Sequence, residues 1–542
     1  MKKLLFLALM LSTAGLFAQM EAPKDWWDLD RTDNSYPGVS ANKALNYLQG
    51  KKGQTVVVAV IDSGVDIEHE DLKDIIWTNP GEIAGNGIDD DGNGYVDDVH
   101  GWNFIGGKDG RNINGENLEI VRIYNSLKGK YNNRNRDGLS KKEKVEYDMY
   151  VKYKEEIEAK RAELEPQAGQ IMPLMEAMNK VAMNLKKKPM NVTWKDIEGL
   201  NTKDAFTGMV KNMAARASAQ GATFPETYEQ IKSYADYLDQ SFNMNYNPDF
   251  DARDIVGDNP GDLDDRNYGN NDVEGPDAMH GTHVSGIIAA VRGNGLGVDG
   301  VGGPNVRIMS VRTVPNGDER DKDVANAIRY AVDNGASVIN MSFGKSASPY
   351  KKAVDAAMKY AEKNDVLLVH AAGNDGKKLT LTNNYPNDTY LGKKKTGKTW
   401  ITVGASSANY DENLTASFSN YDKKMVDVFA PGHRIYATFP DDNYSAISGT
   451  SMAAPMVAGI AAMLRSYFPD LKAKQVREII LESALPVNLD VVKPGSDEKI
   501  KFSELSATGG LANAYTAVKL AERTKGKKKK VAKRDEALMM FK

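Results

Sequence analysis

The chain of 542 residues contains no cysteine, and this absence excludes several kinds of chemistry. A thiol nucleophile, a thiolate metal site and a lipidated N-terminal cysteine are all ruled out. Disulfide bonds are ruled out as well, so an exported form of the chain would need rigidity from another source, for which calcium is the expected substitute. Histidine is also scarce, with six copies, so few residues are available as a general base.

Long apolar runs are equally scarce, and we expect no transmembrane segment. Residues 1–18 have the pattern of a secretory signal, with Lys2 and Lys3, an apolar run at 4–11 and small residues ending at Ala18. An uncleaved anchor is the alternative, but the apolar run is short for a membrane span. We therefore expect export to the periplasm, the cell surface or the extracellular space.

The G-x-S-x-G pattern of lipases and esterases is absent too. The chain has instead three glycine-flanked blocks, VIDSGVD around Asp62, HGTHVSG beginning at His280 and GTSMAAP around Ser451. A serine hydroxyl needs an imidazole to take its proton and a carboxylate to hold that imidazole in the useful tautomer. Together the blocks supply these three groups, and the apolar run after Ser451 predicts a helix that begins at this serine.

The three blocks, in this order, resemble those of the subtilisin-like serine peptidases, the subtilases. The resemblance covers residues 36–105 and about 250–520. It implies a secreted serine endopeptidase in which Asp62 orients His280 and His280 activates Ser451, with His283 as a structural neighbour. The alternative is a catalytically silent peptide-binding or adhesion module on the same fold.

An oxyanion donor is also required for this chemistry. Residues 366–372 predict a buried strand, and Asn374 follows at its carboxyl end, where open α/β sheets place their ligand sites. The resemblance makes Asn374 the side-chain donor, paired with the Ser451 backbone N–H. It also implies a peptide-binding edge at residues 342–344, where the strand in SVINMSFG ends, and places Asn384 near the floor of the substrate pocket. The expected substrate-contacting residues are Ser342, Phe343, Gly344, Ala371, Ala372 and Gly373.

An acidic loop at 86–100 has spacing that resembles the start of an EF-hand calcium loop. The twelfth position of the pattern is His100 instead of a glutamate, which implies lower affinity or a ligand from elsewhere. A solvated acidic turn is the alternative interpretation. The expected calcium ligands in this loop are Asp89, Asp91, Asn93 and Asp97.

A second calcium ligand is implied by the family resemblance. Asp71, in the block HEDL, matches an acidic calcium ligand of the subtilases. Its expected partners are carbonyl groups of the loop near Asn294, which is one residue longer than the usual pattern. We therefore expect Ca²⁺ in a structural role.

Short apolar strands alternate with helical patterns over most of the chain. This alternation predicts an α/β fold, a subtilisin-like parallel sheet covered by helices on both faces. Asp62 and His280 are 218 positions apart, much further than is usual in the family. Residues 115–245 fill most of this distance, and their fourfold apolar spacing predicts a helical insertion, which we interpret as a cap beside the active-site cleft.

The remaining boundaries follow from composition. We expect an N-terminal extension at 19–35, a peptidase domain in two parts at 36–110 and 250–520, and a basic disordered tail at 521–542. Residues 519–542 hold ten Lys or Arg against three Asp or Glu. Attachment of the tail to an acidic surface is the alternative to a merely solvated end. No groove-reading motif accompanies this charge, so we expect a protein or peptide substrate and no nucleic-acid partner.

Overall fold

Residues 22–200, 204–219, 221–392 and 397–525 are described by the structure, which is a computed structural model. The predicted signal sequence and the part of the predicted tail after residue 525 lie outside these ranges. The strands are β1 (Val56–Asp62), β2 (Gly101–Asn103), β3 (Val306–Arg312), β4 (Val338–Met341), β5 (Leu367–Ala371), β6 (Trp400–Ser406), β7 (Val428–Pro431), β8 (Ile435–Phe439), β9 (Asn443–Ile447), β10 (Leu485–Pro486), β11 (Asp490–Val492), β12 (Lys499–Lys501) and β13 (Gly510–Leu511).

Nine of these strands form one sheet, in the order β10-β13-β7-β6-β5-β4-β1-β3-β2. All its neighbouring pairs are parallel except β10 with β13. Strand β1 is third from the β2 edge and lies between β4 and β3, and its last residue, Asp62, is level with Arg312 of β3. Continuous apolar runs form these strands because a sheet covered on both faces buries every side chain.

Helices cover both faces of the sheet, which confirms the predicted fold class. The helices are α1 (Arg31–Asn34), α2 (Ala41–Tyr47), α3 (Glu119–Tyr131), α4 (Lys141–Asn184), α5 (Trp194–Glu198), α6 (Ala205–Ala219), α7 (Phe224–Asp239), α8 (Met279–Ala289), α9 (Asp321–Asp333), α10 (Lys351–Lys363), α11 (Thr450–Tyr467), α12 (Ala473–Glu482) and α13 (Ala514–Arg523).

Alternate side chains of β1 enter two separate cores. Val58 and Val60 pack in a core with α8 and α11, whereas Ala59 and Ile61 pack in a core with α9 and α10. The two cores fix the heights at which β1 and its neighbours end. They therefore fix the position of the groups at the carboxyl edge of the sheet.

Both ends of the described chain belong to the packed structure. Trp26 and Trp27, in the segment predicted as an N-terminal extension, are buried in the core beneath α11. At the other end α13 continues to Arg523, two residues past the start predicted for the tail. Within the described ranges, no helix has the length and apolar character needed to cross a membrane.

Between β2 and α8 the chain forms the five helices α3 to α7, in the region predicted to be helical. Capping boxes of Ser140 with Glu143 and of Thr223 with Glu226 begin α4 and α7. Helix α4 is 44 residues long and carries residues with the predicted fourfold apolar spacing. This fourfold spacing does not mark the buried face, since Val145 is 66% exposed. The buried seam recurs every seven residues instead, at Tyr150, Ile157, Leu164, Ile171 and Met178.

The helical insertion leaves and re-enters the sheet domain at one place. The Leu118 backbone N–H donates to the Asn245 carbonyl at 3.1 Å, and the Asn117 side chain donates to the carbonyls of Met244 and Asn247. These bonds form a stem that closes the base of the insertion.

Candidate active site

Asp62 and His280 form a hydrogen-bonded pair at the carboxyl end of β1. The His280 Nδ1 donates to Asp62 Oδ1 at 2.7 Å, and the Ser63 backbone N–H donates to the same oxygen at 2.8 Å. Asp62 is 2% exposed, whereas the His280 side chain is 31% exposed. Because Nδ1 carries the proton, Nε2 of His280 keeps its lone pair free to act as a base.

Helix α8 brings His280 to this carboxylate because Gly281 permits a close approach. A Cβ on Gly281 would lie 2.1 Å from the Gly64 carbonyl oxygen, so a larger residue would push the helix away from the end of β1. Burial opposes a charge on His280, but the Asp62 carboxylate more than offsets this effect and raises the pKa of His280 above its ordinary value. The pair therefore stabilises the imidazolium that forms when His280 accepts a proton.

His283, the second histidine of the block, lies where it cannot reach the cleft. Its Nε2 donates to the carbonyls of Ile435 and Ser445 at 3.0 and 3.1 Å. Burial lowers the pKa of His283 to about 4, so the ring is neutral near pH 7. It joins α8 to the β8–β9 hairpin.

Ser451 is the second residue of α11, and its hydroxyl lies beside the residue that follows β4. The Ser451 Oγ donates to the Ser342 carbonyl at 3.1 Å, and the Ser342 Oγ donates to the Ser451 carbonyl at 2.9 Å. No hydrogen bond between Ser451 Oγ and His280 occurs within the described ranges. Catalytic hydrogen bonds are often long before substrate binds, and rotation about one side-chain torsion re-aims a serine hydroxyl.

Asn374 is oriented by a residue that the sequence analysis did not single out, Thr450. The Thr450 backbone N–H and Oγ1 both donate to Asn374 Oδ1 at 2.9 Å. Thr450 Oγ1 in turn accepts from the Gly373 backbone N–H at 3.0 Å. Since the amide oxygen is held on this side, the amide nitrogen is left as a donor, and it would lie 3.4 Å from a Cβ on Gly449. A threonine directly before the candidate nucleophile was the available sequence signal.

Asn384 lies between the segments after β4 and β5, which are the predicted walls of the substrate pocket. Asn384 Nδ2 donates to the Ala372 carbonyl at 3.1 Å, and its Oδ1 would lie 2.9 Å from a Cβ on Gly344. Gly344 is exposed, whereas the remaining wall residues Ser342, Phe343, Ala371 and Ala372 are buried and Gly373 is half-buried. The placement of Asn384 near the floor of a substrate pocket stays a prediction.

His370, on β5, lies below this pocket and was missed in the sequence. Its Nε2 is buried without a hydrogen-bond partner among the described residues and would lie 3.7 Å from a Cβ on Gly344. Burial lowers the pKa of His370 to about 4, so the side chain is a neutral polar group under the pocket floor. A histidine in an otherwise apolar strand run was the sequence signal.

Asp71 lies against the loop predicted to accompany it. The carboxylate is fully buried, and Asn294 Nδ2 donates to its Oδ1 at 2.8 Å. Its Oδ2 has no hydrogen-bond partner among the residues that the structure covers, and burial raises the pKa of Asp71. A buried oxygen left without a donor fits a cation ligand, because an unpaired buried charge is otherwise costly.

The acidic loop brings together a different set of carboxylates from the predicted one. Asp97 accepts from the backbone N–H groups of residues 85, 86 and 87, and Asp89 accepts from those of Asn93 and Gly94. These two carboxylates close turns and are not turned toward a common centre. Carboxylate oxygens of Glu82, Asp91 and Asp98 lie within 4.8 Å of one another, and Asn93 donates to Asp91 and Asp98.

Comparison with known proteins gives a consistent result. The model of the Subtilase family matches residues 53–515. The chain is 40% identical to the thermophilic serine proteinase of Bacillus sp. (strain AK1), over 40% of this chain and 49% of that protein. It is 36% identical to thermitase of Thermoactinomyces vulgaris, over 44% of this chain and 74% of that protein. Subtilisin DY of Bacillus licheniformis is 37% identical over 38% of this chain and 70% of its own length.

The α/β fold and the matched family model agree on one class of protein, and the first of the named relatives is a serine proteinase. The chain belongs to the Subtilase family. The matched region spans about half the length of the Bacillus AK1 proteinase, so the activity and substrates of the whole protein are considered as proposals below.

Proposed function

We propose that this protein is an exported endopeptidase that hydrolyses peptide bonds through Asp62, His280 and Ser451. The observation that carries the proposal is the 2.7 Å hydrogen bond between His280 Nδ1 and Asp62 Oδ1, formed by residues 218 positions apart. A buried carboxylate held against a half-exposed imidazole is the arrangement that general-base catalysis requires.

In the proposed reaction Ser451 Oγ attacks the scissile carbonyl carbon while His280 Nε2 takes the hydroxyl proton. The C–N bond then breaks, and His280 gives the same proton to the leaving amine. A water molecule repeats the sequence on the acyl-enzyme and releases the acid product. Asp62 keeps His280 in the correct tautomer and stabilises the imidazolium without taking the proton itself.

The oxyanion formed at each attack needs fixed donors in a site that excludes water. Asn374 Nδ2 supplies one, because Thr450 holds the amide oxygen on the opposite side. The backbone N–H of Ser451 supplies the second, since it lies in the first turn of α11, where N–H groups have no partner within the helix. Both donors are positioned before the substrate arrives.

The proposed substrate is an extended protein or peptide chain that adds to the segment after β4 as a strand. Ser342, Phe343 and Gly344 would supply main-chain bonds. The side chain before the cleaved bond would enter the pocket between this segment and Ala371 to Gly373, with Asn384 at its floor.

Calcium is proposed as a structural cofactor in two places. Asp71 would hold one ion together with the loop around Asn294, and Glu82, Asp91 and Asp98 would hold another. A bound Ca²⁺ would supply cross-linking of loops in a chain without disulfides.

Export is proposed from the signal pattern at 1–18, with the periplasm, the cell surface and the extracellular space as destinations. The basic tail would contact an acidic surface there, through charge alone.

Labelling with a fluorophosphonate serine probe tests the proposal. We expect labelling of the intact protein, its loss in Ser451→Ala, and strong slowing in His280→Ala. Ser140→Ala, at the cap of α4 and far from the pair in the fold, is the matched control and should label normally. Equal labelling of Ser451→Ala and the intact protein, or none in either, would leave the peptide-binding module as the better interpretation.

A further inference from the structure

Two chain segments leave the sheet on either side of Asp62. Strand β1 lies between β3 and β4, so the residues after Arg312 and those after Met341 flank the end of β1. Ser342 begins the second segment and accepts the hydrogen bond from Ser451 Oγ at 3.1 Å. The groove between the two segments therefore starts at the candidate nucleophile.

Lys345 joins the two segments at the far end of this groove. Its Nζ lies 2.9 Å from Asp321 Oδ1 and donates to the Glu319 carbonyl at 2.7 Å. Glu319 belongs to the segment after β3, Asp321 is the first residue of α9 at the end of that segment, and Lys345 is 4% exposed. The groove runs past residues 342–344 and is closed at Lys345.

The helical insertion forms part of this closure. Glu119, the first residue of α3, binds Lys345 Nζ at 2.7 Å and Arg122 Nη2 at 2.7 Å. Burial works against the charge of Glu119, but Lys345 and Arg122 more than compensate and lower its pKa to about 2. Because Glu119 is 5% exposed, these groups make a packed wall and not a loose surface pair.

Hydrogen bonds to backbone carbonyl groups also hold this wall in place. Arg122 Nη1 donates to the carbonyls of Asn117 and Asp318 at 2.6 and 2.9 Å, which ties the insertion to the segment after β3. Removing one partner of a buried ion pair is strongly destabilising, since the other charge is left buried and unpaired. Opening the wall to admit a longer chain would carry a cost of this kind.

From Lys345 onward the backbone hydrogen-bonding groups beside the groove are already paired within the protein. The Lys345 backbone N–H and carbonyl both pair with Tyr385 at 2.9 Å. On the opposite segment the Asn316 backbone N–H donates to the Asn114 carbonyl and the Asn316 carbonyl accepts from the Glu116 N–H, so Glu116 of the insertion and Asn114 just before it occupy that edge. Residues 342–344 remain for a substrate, a length of about 10 Å, or three residues of an extended strand.

The direction of the substrate follows from the pocket and the base. The side chain before the cleaved bond enters the pocket beside Gly344, so the residues preceding it continue along 342–344. The leaving amine must face His280 to receive its proton. The substrate residues that precede the cleaved bond therefore point toward the closed end of the groove at Lys345.

We propose that the insertion closes this groove after about three substrate residues, so that the preferred substrates have a short segment N-terminal to the cleaved bond. This inference rests on the proposed peptidase function. Glu119 acts through Lys345 and is a specificity-determining residue without contact to the reacting atoms. The product of an efficient cut is then a short peptide released from the N-terminal side of a chain.

A length series of peptides tests the proposal. All members share the same residues around the cut and the same leaving segment, and they carry one to six residues before the cleaved bond. We expect kcat/KM to rise up to about three residues and then to fall at least tenfold by six. In Glu119→Ala we expect the longer peptides to recover at least fivefold, while peptides of two or three residues change little.

Glu146→Ala is the matched control, because Glu146 lies on the same insertion in a partly exposed pair with Lys130. It should keep the wild-type length profile. A wild-type kcat/KM that keeps rising beyond four residues would overturn the proposal, and this measurement stands even if Glu119→Ala fails to fold. Failure of the underlying peptidase function would look different, since no peptide of any length would be cleaved and Ser451 would not label.

Discussion

Substitution of Asn374 would separate its role in the reaction from its role in the fold. The amide oxygen accepts two hydrogen bonds from Thr450, at 2.9 Å each, while the amide nitrogen is proposed to bind the oxyanion. Asn374→Asp keeps an oxygen for Thr450 but removes the donor. Asn374→Leu removes both.

The two roles of Asn374, in oxyanion binding and in the fold, predict effects of different magnitude. Loss of one oxyanion donor costs about 10²–10³-fold in kcat, or about 2.7–4 kcal/mol of transition-state stabilisation. Both variants should show at least this loss, with KM nearly unchanged because the donor acts on the charge that develops during attack. Asn374→Leu also leaves two Thr450 donors unpaired, and at about 0.5–1.5 kcal/mol each it should lose about 1–3 kcal/mol of folding stability.

The assay combines steady-state kinetics on one peptide substrate with urea unfolding of each variant. Asn383→Asp, in the exposed loop nearby, is the control for the change of charge. If both Asn374 variants kept kcat within threefold of the wild type while Ser451 still labelled, the assigned oxyanion role would be refuted. Equal stability of Asn374→Leu and the wild type would refute the structural role of the Thr450 bonds.

Further predictions concern the base, the metal and the pocket. Since Asp62 raises the pKa of His280, kcat/KM should fall at acid pH with an apparent pKa above the ordinary histidine value of about 6.5. Asp62→Asn should move this fall in kcat/KM to lower pH and cut kcat by about 10⁴-fold. If the fall stayed at the same pH, His280 would be excluded as its source. A chelator should lower the temperature of thermal inactivation, because an ion present at 100 times its Kd adds about 2.7 kcal/mol to the free energy of unfolding. No change in the wild type would rule out a stabilising ion, and Asp71→Asn should reduce the effect of the chelator. Gly344→Ala places a Cβ 2.9 Å from Asn384 Oδ1 and should lower kcat/KM for substrates with a large residue before the cleaved bond. Adding Asn384→Ala to this variant should restore part of the lost kcat/KM. Unchanged selectivity in Gly344→Ala would mean that the pocket lies elsewhere.

The sequence was most informative where a residue's position depends on an adjacent structural element. Asp62 ends a strand, His280 and Ser451 each lie in the first turn of a helix, and the glycines beside them allow close approach. Such positions follow from local patterns, so the pairing of Asp62 with His280 could be expected from the blocks. The orientation of Asn374 by Thr450 is a tertiary contact, although the two residues flank predictable elements.

Irregular segments were less predictable because nothing periodic sets the direction of their side chains. Asp89 and Asp97 fit the spacing of a calcium loop, but backbone N–H groups of nearby turns bind their carboxylates. The contact between Glu119 and Lys345 joins residues 226 positions apart, and neither has a local pattern that marks it. The helices of the insertion were predictable from their spacing and caps, whereas the place where they meet the groove was not.

The stem at the base of the insertion bears on how the active site assembles during folding. Without the Leu118 to Asn245 bond, 218 residues separate Asp62 from His280, and closing a loop costs free energy that grows with the logarithm of its length. Once the stem has formed, the effective loop shrinks to about 90 residues, which saves only about 0.8 kcal/mol. Assembly of the pair is therefore almost indifferent to the length of the insertion, and segments of very different size could occupy this position while Asp62 and His280 still meet.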